Sequence, residues 1–506
     1  MLEFSFLFAE VPLFGTFEYL LLAAYFAALL AIGARFYRRD SRLAEYFAGS
    51  RSMSWLPVSI SILASDTSAI TILGNPGYAF ARDLSIFWYA ASYSVAAWLI
   101  IAIFLPFYCR LRLYSAYEYL ERRFDVRVRT LTSFLFLFVR GAHVAIAIYA
   151  PATLLSQITG LSKPGAILLM GCITVAYTTL GGIRAVIWTD VLQFSIVFGG
   201  IAVVFFETTA RVQGGLAAVW QIGAEAGKWR IVDLSPGLNV ETALWPTLLG
   251  GTVMALATLG TDQAVLQRYF TAKAESECAR SLRAVSVLVL PTNLVLLALG
   301  VFLFAFYQQN PALRAALPGP DDVLGHFTRL ELPRSVAALL VGGVFAASMG
   351  VMSAGINSLA TCTVVDFHQR LFRPGASDRE CVVAARVATI AWGAVTTVGA
   401  LYAGKLGTLA TAFAKIQGYV GGVMLGLFLL AIFSRRASGA GALAGAAAGM
   451  ALVTWVAFGT NVGLFWYGTV GAGATIAVGE AVSRFLGAPL RARSDYQEIR
   501  KIEVQA

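Results

Sequence analysis

The sequence predicts an all-α polytopic membrane protein of about 13 transmembrane helices, arranged as two inverted five-helix repeats with one helix before them and two after. Three observations carry that expectation. The 506 residues are 58% hydrophobic and 13% charged, with a mean hydropathy of +0.73; a soluble domain carries roughly 25% charged residues. Apolar runs of about 20 residues, enough to cross a bilayer, recur along the whole chain. Two of them are interrupted and hold or end in an acid. Residues 58–80, VSISILASDTSAITILGNPGYAF, contain Asp66 and Gly74-Asn75-Pro76-Gly77. Residues 244–267 contain Gly250-Gly251 and Gly260-Thr261, then Asp262-Gln263. An acid at membrane depth normally faces a cavity, an ion or a partner. Irregular backbone is tolerated there only where protein or a water-lined site satisfies it. Two halves that each begin with a broken helix are the sequence mark of an inverted-repeat transporter.

Taken in order, spans are expected at 14–36, 55–80, 84–108, 130–158, 163–181, 186–206, 244–267, 284–307, 335–365, 384–403, 408–433, 438–458 and 463–484. This divides the chain into a leading span and first cytoplasmic loop (1–54), the first repeat (55–207), an extracellular loop (208–243), the second repeat (244–433), and two peripheral spans with a cytoplasmic tail (434–506). The first run follows Glu3 and Glu10 and no basic residue, the wrong charge for a cleaved signal peptide, so it is expected to stay as a span. Orientation follows from Lys and Arg. With the N-terminus outside, the cytoplasmic loops hold 27 of the 38 basic residues and the outer loops nine. That places the N-terminus outside and the C-terminus in the cytoplasm of a plasma (cytoplasmic) membrane.

The same distribution explains the net charge of +10 as topology, not nucleic-acid binding. The 48 glycines suit close helix packing where no hydrophobic effect drives helices together. The five cysteines are scattered, without CxxC or metal-ligand spacing, so neither a disulfide frame nor a cluster is implied. No soluble module is expected, and no acid/base pair, nucleophile motif or nucleotide loop points to an enzyme or a cofactor. The expected partners are a small-molecule solute and the lipid bilayer, with no obligate protein partner.

Five segments carry a more specific signal: YSAYEYLERRF at 114–124, YTTLGGIRAVIWTDVLQ at 177–193, TDQAVLQRY at 261–269, GINSLATCTVVDF at 355–367 and AKIQGYVGGVMLGLFLLAIFSRR at 414–436. In this order they resemble the sodium:solute symporter family over essentially the whole chain. The resemblance implies a leucine-transporter-like fold and alternating-access transport of a small solute, with Na+ or H+ as coupling ion.

It also implies a sodium site between the first and eighth core helices. Carbonyls come from an A-x-x-[IMT] pattern, here Ala64 and Thr67. A third carbonyl and two hydroxyls come from A-x-x-[ST]-[ST], which aligns with Ala347-Ser348-Met349-Gly350-Val351. The carbonyl positions match; the hydroxyl positions are Gly350 and Val351. Hard cations want oxygen ligands, so two readings are open. Either sodium binding is weakened and coupling passes to protons or is absent, or water fills the coordination and the chain is an ordinary sodium symporter. Ser353 and Asp190 match a second sodium site of some members, although Ala354 stands where another hydroxyl would be. If protons couple transport, Asp66 is the first candidate carrier and Asp190 the second; Asp66 could instead accept hydrogen bonds from the amides near Thr67. A further alternative is a transporter-like sensor that moves nothing.

For the solute, Arg140 and His143 are three apart and share a helix face. By resemblance His143 falls where sialic acid transporters place a carboxylate-binding Arg, and the pair points to a small organic anion. Gln417 stands where the sugar transporters have a sugar-binding Gln, but their Glu aligns with Ala90, which argues against a glucose-like solute. Asp262 matches a polar position on the second broken helix and is expected in the pathway. Phe87, Trp88 and Tyr89 either face lipid, the favoured reading, or wall the site.

Overall fold

Backbone N–H and C=O groups in hydrocarbon must find partners within the chain, and the described residues meet that demand chiefly with helices. A computed structural model describes residues 15–37, 43–110, 113–159, 161–237, 239–240, 243–403 and 409–487. Among these, the only β pairing is an isolated bridge between Met53 and Ala272. Of the described helices, eight are long and apolar enough to cross a membrane, with one bent pair as a ninth. Every expected span contains helical residues among those described. The tail from residue 488, with residues 1–14, lies outside the described residues.

The leading helix α1 (Thr16–Arg35) and the short α2 (Leu43–Ala48) precede the first repeat. The segment expected as that repeat holds α3 (Trp55–Asp66), α4 (Ala69–Ala81), α5 (Phe87–Leu99), the short α6 (Tyr117–Arg123), α7 (Val126–Thr159) and α8 (Lys163–Arg211). After α9 (Gly215–Glu225), the segment expected as the second repeat holds α10 (Gly251–Thr261), α11 (Gln263–Tyr269), α12 (Glu275–Gln309), the short α13 (Val323–Glu331), α14 (Arg334–Cys362), α15 (Asp378–Ala403) and α16 (Leu409–Phe433). The peripheral helices are α17 (Gly439–Gly459) and α18 (Tyr467–Phe485).

At a rise of 1.5 Å per residue, α8 with its 49 residues is far longer than a bilayer is thick. It changes direction at Gly182 (φ 56°, ψ −154°), a left-handed position where a side chain is disfavoured. A Cβ there would also meet the Tyr46 carbonyl at 2.7 Å. The helix thus supplies both spans expected on either side of residues 182–185.

The first broken helix breaks elsewhere than expected. The kink of 65° lies between α3 and α4, at Thr67 and Ser68, and not at Gly74–Gly77. Asp, Ser and Thr compete with helical hydrogen bonding, whereas Pro76 sits inside α4 without ending it. Gly300 lies close against this stretch: a Cβ on it would meet the Pro76 carbonyl at 2.2 Å, so α12 packs directly onto the backbone of α4. In the second broken helix the break is at Asp262, in an extended conformation (φ −78°, ψ 117°), next to the expected Gly260-Thr261. Gly250-Gly251 does not break the chain; a π turn over Pro246–Gly250 leads into α10.

At the centre stands α14. Every residue from Leu340 to Cys362 is buried, as befits a helix packed against neighbours on all sides. It contacts α8, α7, α15 and α3, so the break in the first repeat and the middle of α14 face each other.

Candidate functional site

Where α3 ends, its last carbonyls have no intrahelical donors. Asp66 is the last residue of α3 and lines a cavity of about 120 Å³ together with Thr67, Thr71, Asn75, Tyr89, Ala90, Tyr93, Thr258, Thr292 and Asn293. Asp66 is exposed although protein surrounds it, because its accessible surface is that of the cavity. The Tyr93 hydroxyl donates to Asp66 Oδ1 at 3.3 Å. Tyr89 and Tyr93 meet edge to face, with centroids 5.6 Å apart. The Asn75 amide donates to Asn293 Oδ1 at 2.9 Å, tying α4 to α12.

This places two of the aromatic residues differently from the lipid-facing expectation. Tyr89 lines the cavity, and the Trp88 indole donates to the Ile231 carbonyl at 2.9 Å. Every aromatic in the 87–89 run is half-buried.

The expected ion residues gather on the other side of α3. Gly350 faces the Ala64 carbonyl: a Cβ on Gly350 would stand 3.5 Å from that oxygen, 3.4 Å from Asp190 Oδ1 and 3.2 Å from Gln193 Oε1. Asp190 Oδ1, Gln193 Oε1 and Ser348 Oγ are buried and have no hydrogen-bond partner among the described residues. The Ala64 carbonyl, Asp190 Oδ1 and Gln193 Oε1 thus converge on the space that the absent side chain of residue 350 leaves. Ala347 and Val351 are buried beside it, and Val351 contributes no oxygen from its side chain. The Ser353 hydroxyl donates to the Gly350 carbonyl at 3.1 Å. Thr67 caps α3, its N–H bonded to the Leu63 carbonyl at 2.9 Å.

The other Asp190 oxygen is fully engaged. Oδ2 accepts from Arg268 at 2.8 Å and from the Ser61 hydroxyl at 2.5 Å. Arg268 also donates from Nε to the Ser61 carbonyl at 3.1 Å. The side chains of this ion pair are 1% and 0% exposed. Arg268 was counted among the cytoplasmic loop charges on sequence grounds; the short helix α11 instead turns it inward. Both Arg268 and Gln193 were missed as site residues. The signal for Gln193 is its spacing: three residues after Asp190, it shares that helix face.

Arg140, His143 and Asp262 do come together. Arg140 Nη1 lies 3.4 Å from Asp262 Oδ2 and 3.1 Å from His143 Nδ1. Guanidinium groups only donate, so His143 Nδ1 is the acceptor and its ring proton sits on Nε2. Asp262 Oδ1 accepts from the Ala264 amide at 2.7 Å and caps α11. None of the three lines the cavity. Gln417 reaches its edge through Thr258, donating to that hydroxyl at 3.2 Å.

Residues 46–449 match the sodium:solute symporter family model. The chain belongs to the sodium:solute symporter family. It is 32% identical over 486 residues to the sodium/sialic acid symporter NanT of Aliivibrio fischeri, covering 95% of this chain and 94% of that protein. It is 32% identical over 425 residues to the sodium-dependent multivitamin transporter of Oryctolagus cuniculus, covering 83% and 66%. A substrate-bound, outward-open structure of a Na+-coupled sialic acid symporter superimposes with a TM-score of 0.88 at 28% identity, over 93% of this chain and 98% of that one. The fold is the leucine-transporter-like one that the sequence implied. The protein is a multi-pass membrane transporter and not an enzyme.

Proposed function

We propose that this member of the family is a sodium-coupled symporter that moves a small solute by alternating access, with sodium held more weakly than by the family's full ligand set. Two hydroxyl ligands are gone at Gly350 and Val351. The observation that carries the reading is the convergence of the Ala64 carbonyl, Asp190 Oδ1 and Gln193 Oε1 on Gly350. Oxygens without partners around a space of atomic size are what a hard cation requires. The carbonyls of Thr67 and Ala347 belong to the same proposed site, with Ser353 beside it. A proton route through Asp66 or Asp190 has no second observation behind it: Asp190 is paired with Arg268, and Asp66 opens into the solute cavity. Residues 55–207 and 244–433 are read as the two repeats, and the N-terminus as external.

The test is thermal unfolding of the purified protein in sodium against potassium at equal ionic strength, beside solute flux into proteoliposomes. A ligand of the folded state alone stabilises by about 2.7 kcal/mol at 100 times its Kd. Sodium is expected to raise the midpoint in a saturable way. Both variants place a Cβ in the oxygen cradle: Gly350→Ala, which adds no oxygen, should blunt that rise, and Gly350→Ser, which adds a hydroxyl ligand with it, should bind sodium more tightly than Gly350→Ala. Equal midpoints in sodium and potassium at every concentration would sink the coupling assignment. Absence of flux for every solute tried, with sodium binding intact, would favour a sensor.

A further inference from the structure

We infer that the solute carries a positively charged nitrogen, seated between the Asp66 carboxylate and the rings of Tyr89 and Tyr93. The inference rests on the chain being a solute transporter and names the chemical class it takes. Asp66 is the one charged residue in the cavity wall; every other lining residue is neutral. Among the described residues its carboxylate has one hydrogen bond, the long one from Tyr93 at 3.3 Å, and no ion pair.

Neither nearby guanidinium group pairs with Asp66, although Arg140 Nε and Nη2 are buried without a partner among the described residues. Arg140 lies against Asp262 and His143, and Arg268 is bound to Asp190. An uncompensated carboxylate in such surroundings calls for a cation. An anionic solute would meet a like charge. The expectation of an organic anion came from Arg140 and His143, and neither reaches the cavity.

The wall also suits an ammonium group in shape. Tyr89 and Tyr93 stand at 87° to one another, forming an aromatic corner beside the carboxylate, and aromatic faces attract cations, quaternary ammonium groups included. Ala90, Leu259 and Val289 offer apolar contact for a carbon body, while Thr258 and Asn293 offer hydrogen bonds. The cavity is small, about 120 Å³, which suits a small solute.

The experiment compares near-isosteres that differ in charge. The purified protein is held in fixed sodium and titrated with choline, with neutral 3,3-dimethyl-1-butanol and with anionic 3,3-dimethylbutyrate, while propylammonium represents primary amines. Unfolding midpoints and sodium-driven flux are read together. At least one cationic probe should raise the midpoint with concentration, and the neutral and anionic probes should not. Asp66→Asn should weaken that probe at least tenfold while keeping the sodium shift, and Tyr89→Leu should weaken it several-fold with the charge intact. The inference is overturned if the neutral or anionic probe stabilises as well as choline. It is equally overturned if no cationic probe binds while sodium does, or if Asp66→Asn loses the sodium shift and not the amine. Loss of the sodium shift in the unmodified protein, with amine binding intact, would remove the coupling assignment and leave this inference standing. The isostere comparison needs no variant, so a folding defect in Asp66→Asn does not block the test.

Discussion

Asp190 and Arg268 show how much a single buried pair constrains this site. Both side chains are sealed from solvent, and Ser61 completes the arrangement on Oδ2. Removing one member of such a pair leaves an uncompensated charge and costs about 3–5 kcal/mol. Asp190→Asn or Arg268→Gln should therefore lower the unfolding midpoint strongly, and the double variant should recover part of the loss. A double variant no better than either single one, in a thermal or denaturant unfolding cycle, would mean that the pair is not coupled. The acids of the two breaks were legible in the sequence because a carboxylate at membrane depth is costly wherever it stands. Arg268 was not, because it follows a span directly and reads as a loop charge until the short α11 is seen to turn inward. Tyr89 and Tyr93 were equally hidden: an aromatic next to lipid and one next to a cavity share the same local sequence. Gly350 was legible only against the family pattern, and the oxygens that crowd it come from α3 and α8, far away in the chain.

Among the elements, the π-helical turn Thr363–Phe372 that continues α14 is tied to α6 and α7 by a charge network that the sequence presented only as scattered loop residues. Arg129 binds Asp366 at 2.6 Å and Glu121 at 2.7 Å, and Arg370 binds Glu121 at 2.6 Å. Ser115 and Ser133 each donate to Asp366 at 2.8 Å. Partial burial opposes ionisation of Glu121, but Arg370 and Arg129 outweigh it and hold its carboxyl below the ordinary 4.5. The folded state thus binds this proton less readily than the unfolded one. The stabilisation is complete above pH 4.5 and is lost as pH falls through the lower folded-state value. Glu121→Gln should lower the midpoint at neutral pH, and the gap to the unmodified protein should close as the pH is taken below 4.5. A gap that stays constant between pH 6 and 3 would assign the effect to packing instead. Helix existence was readable throughout, whereas the break positions were not. Gly and Pro at 74–77 looked the stronger interruption, yet α12 packs over them, and the polar run Asp66-Thr67-Ser68 beside the cavity is where the helix parts.

For the whole molecule, orientation decides which face opens first, and it rests on charge asymmetry. Arg129 and Arg268 are buried in ion pairs and do not act as loop charges. Setting them aside leaves 25 basic residues on the proposed cytoplasmic side against nine outside, so the asymmetry survives the correction. The proposed outer surface is also built as a cover. Lys228, from the loop after α9, donates to the Phe80 and Arg82 carbonyls at 2.7 and 2.8 Å at the end of α4, where a cation offsets the helix dipole. Burial lowers its pKa from 10.5, the cost of holding that ammonium against the helix end. Gln221 on α9 and Asp378 at the start of α15 are both exposed and lie on opposite sides in this assignment. In intact cells an impermeant maleimide should label Gln221→Cys and leave Asp378→Cys untouched until the membrane is permeabilised. Cys172, exposed on α8, is replaced by Ser beforehand. The reverse pattern would invert the molecule in the membrane and put the Lys228 cover on the cytoplasmic side. The solute cavity and the sodium cradle would keep their geometry, but the direction from which each is first reached would change.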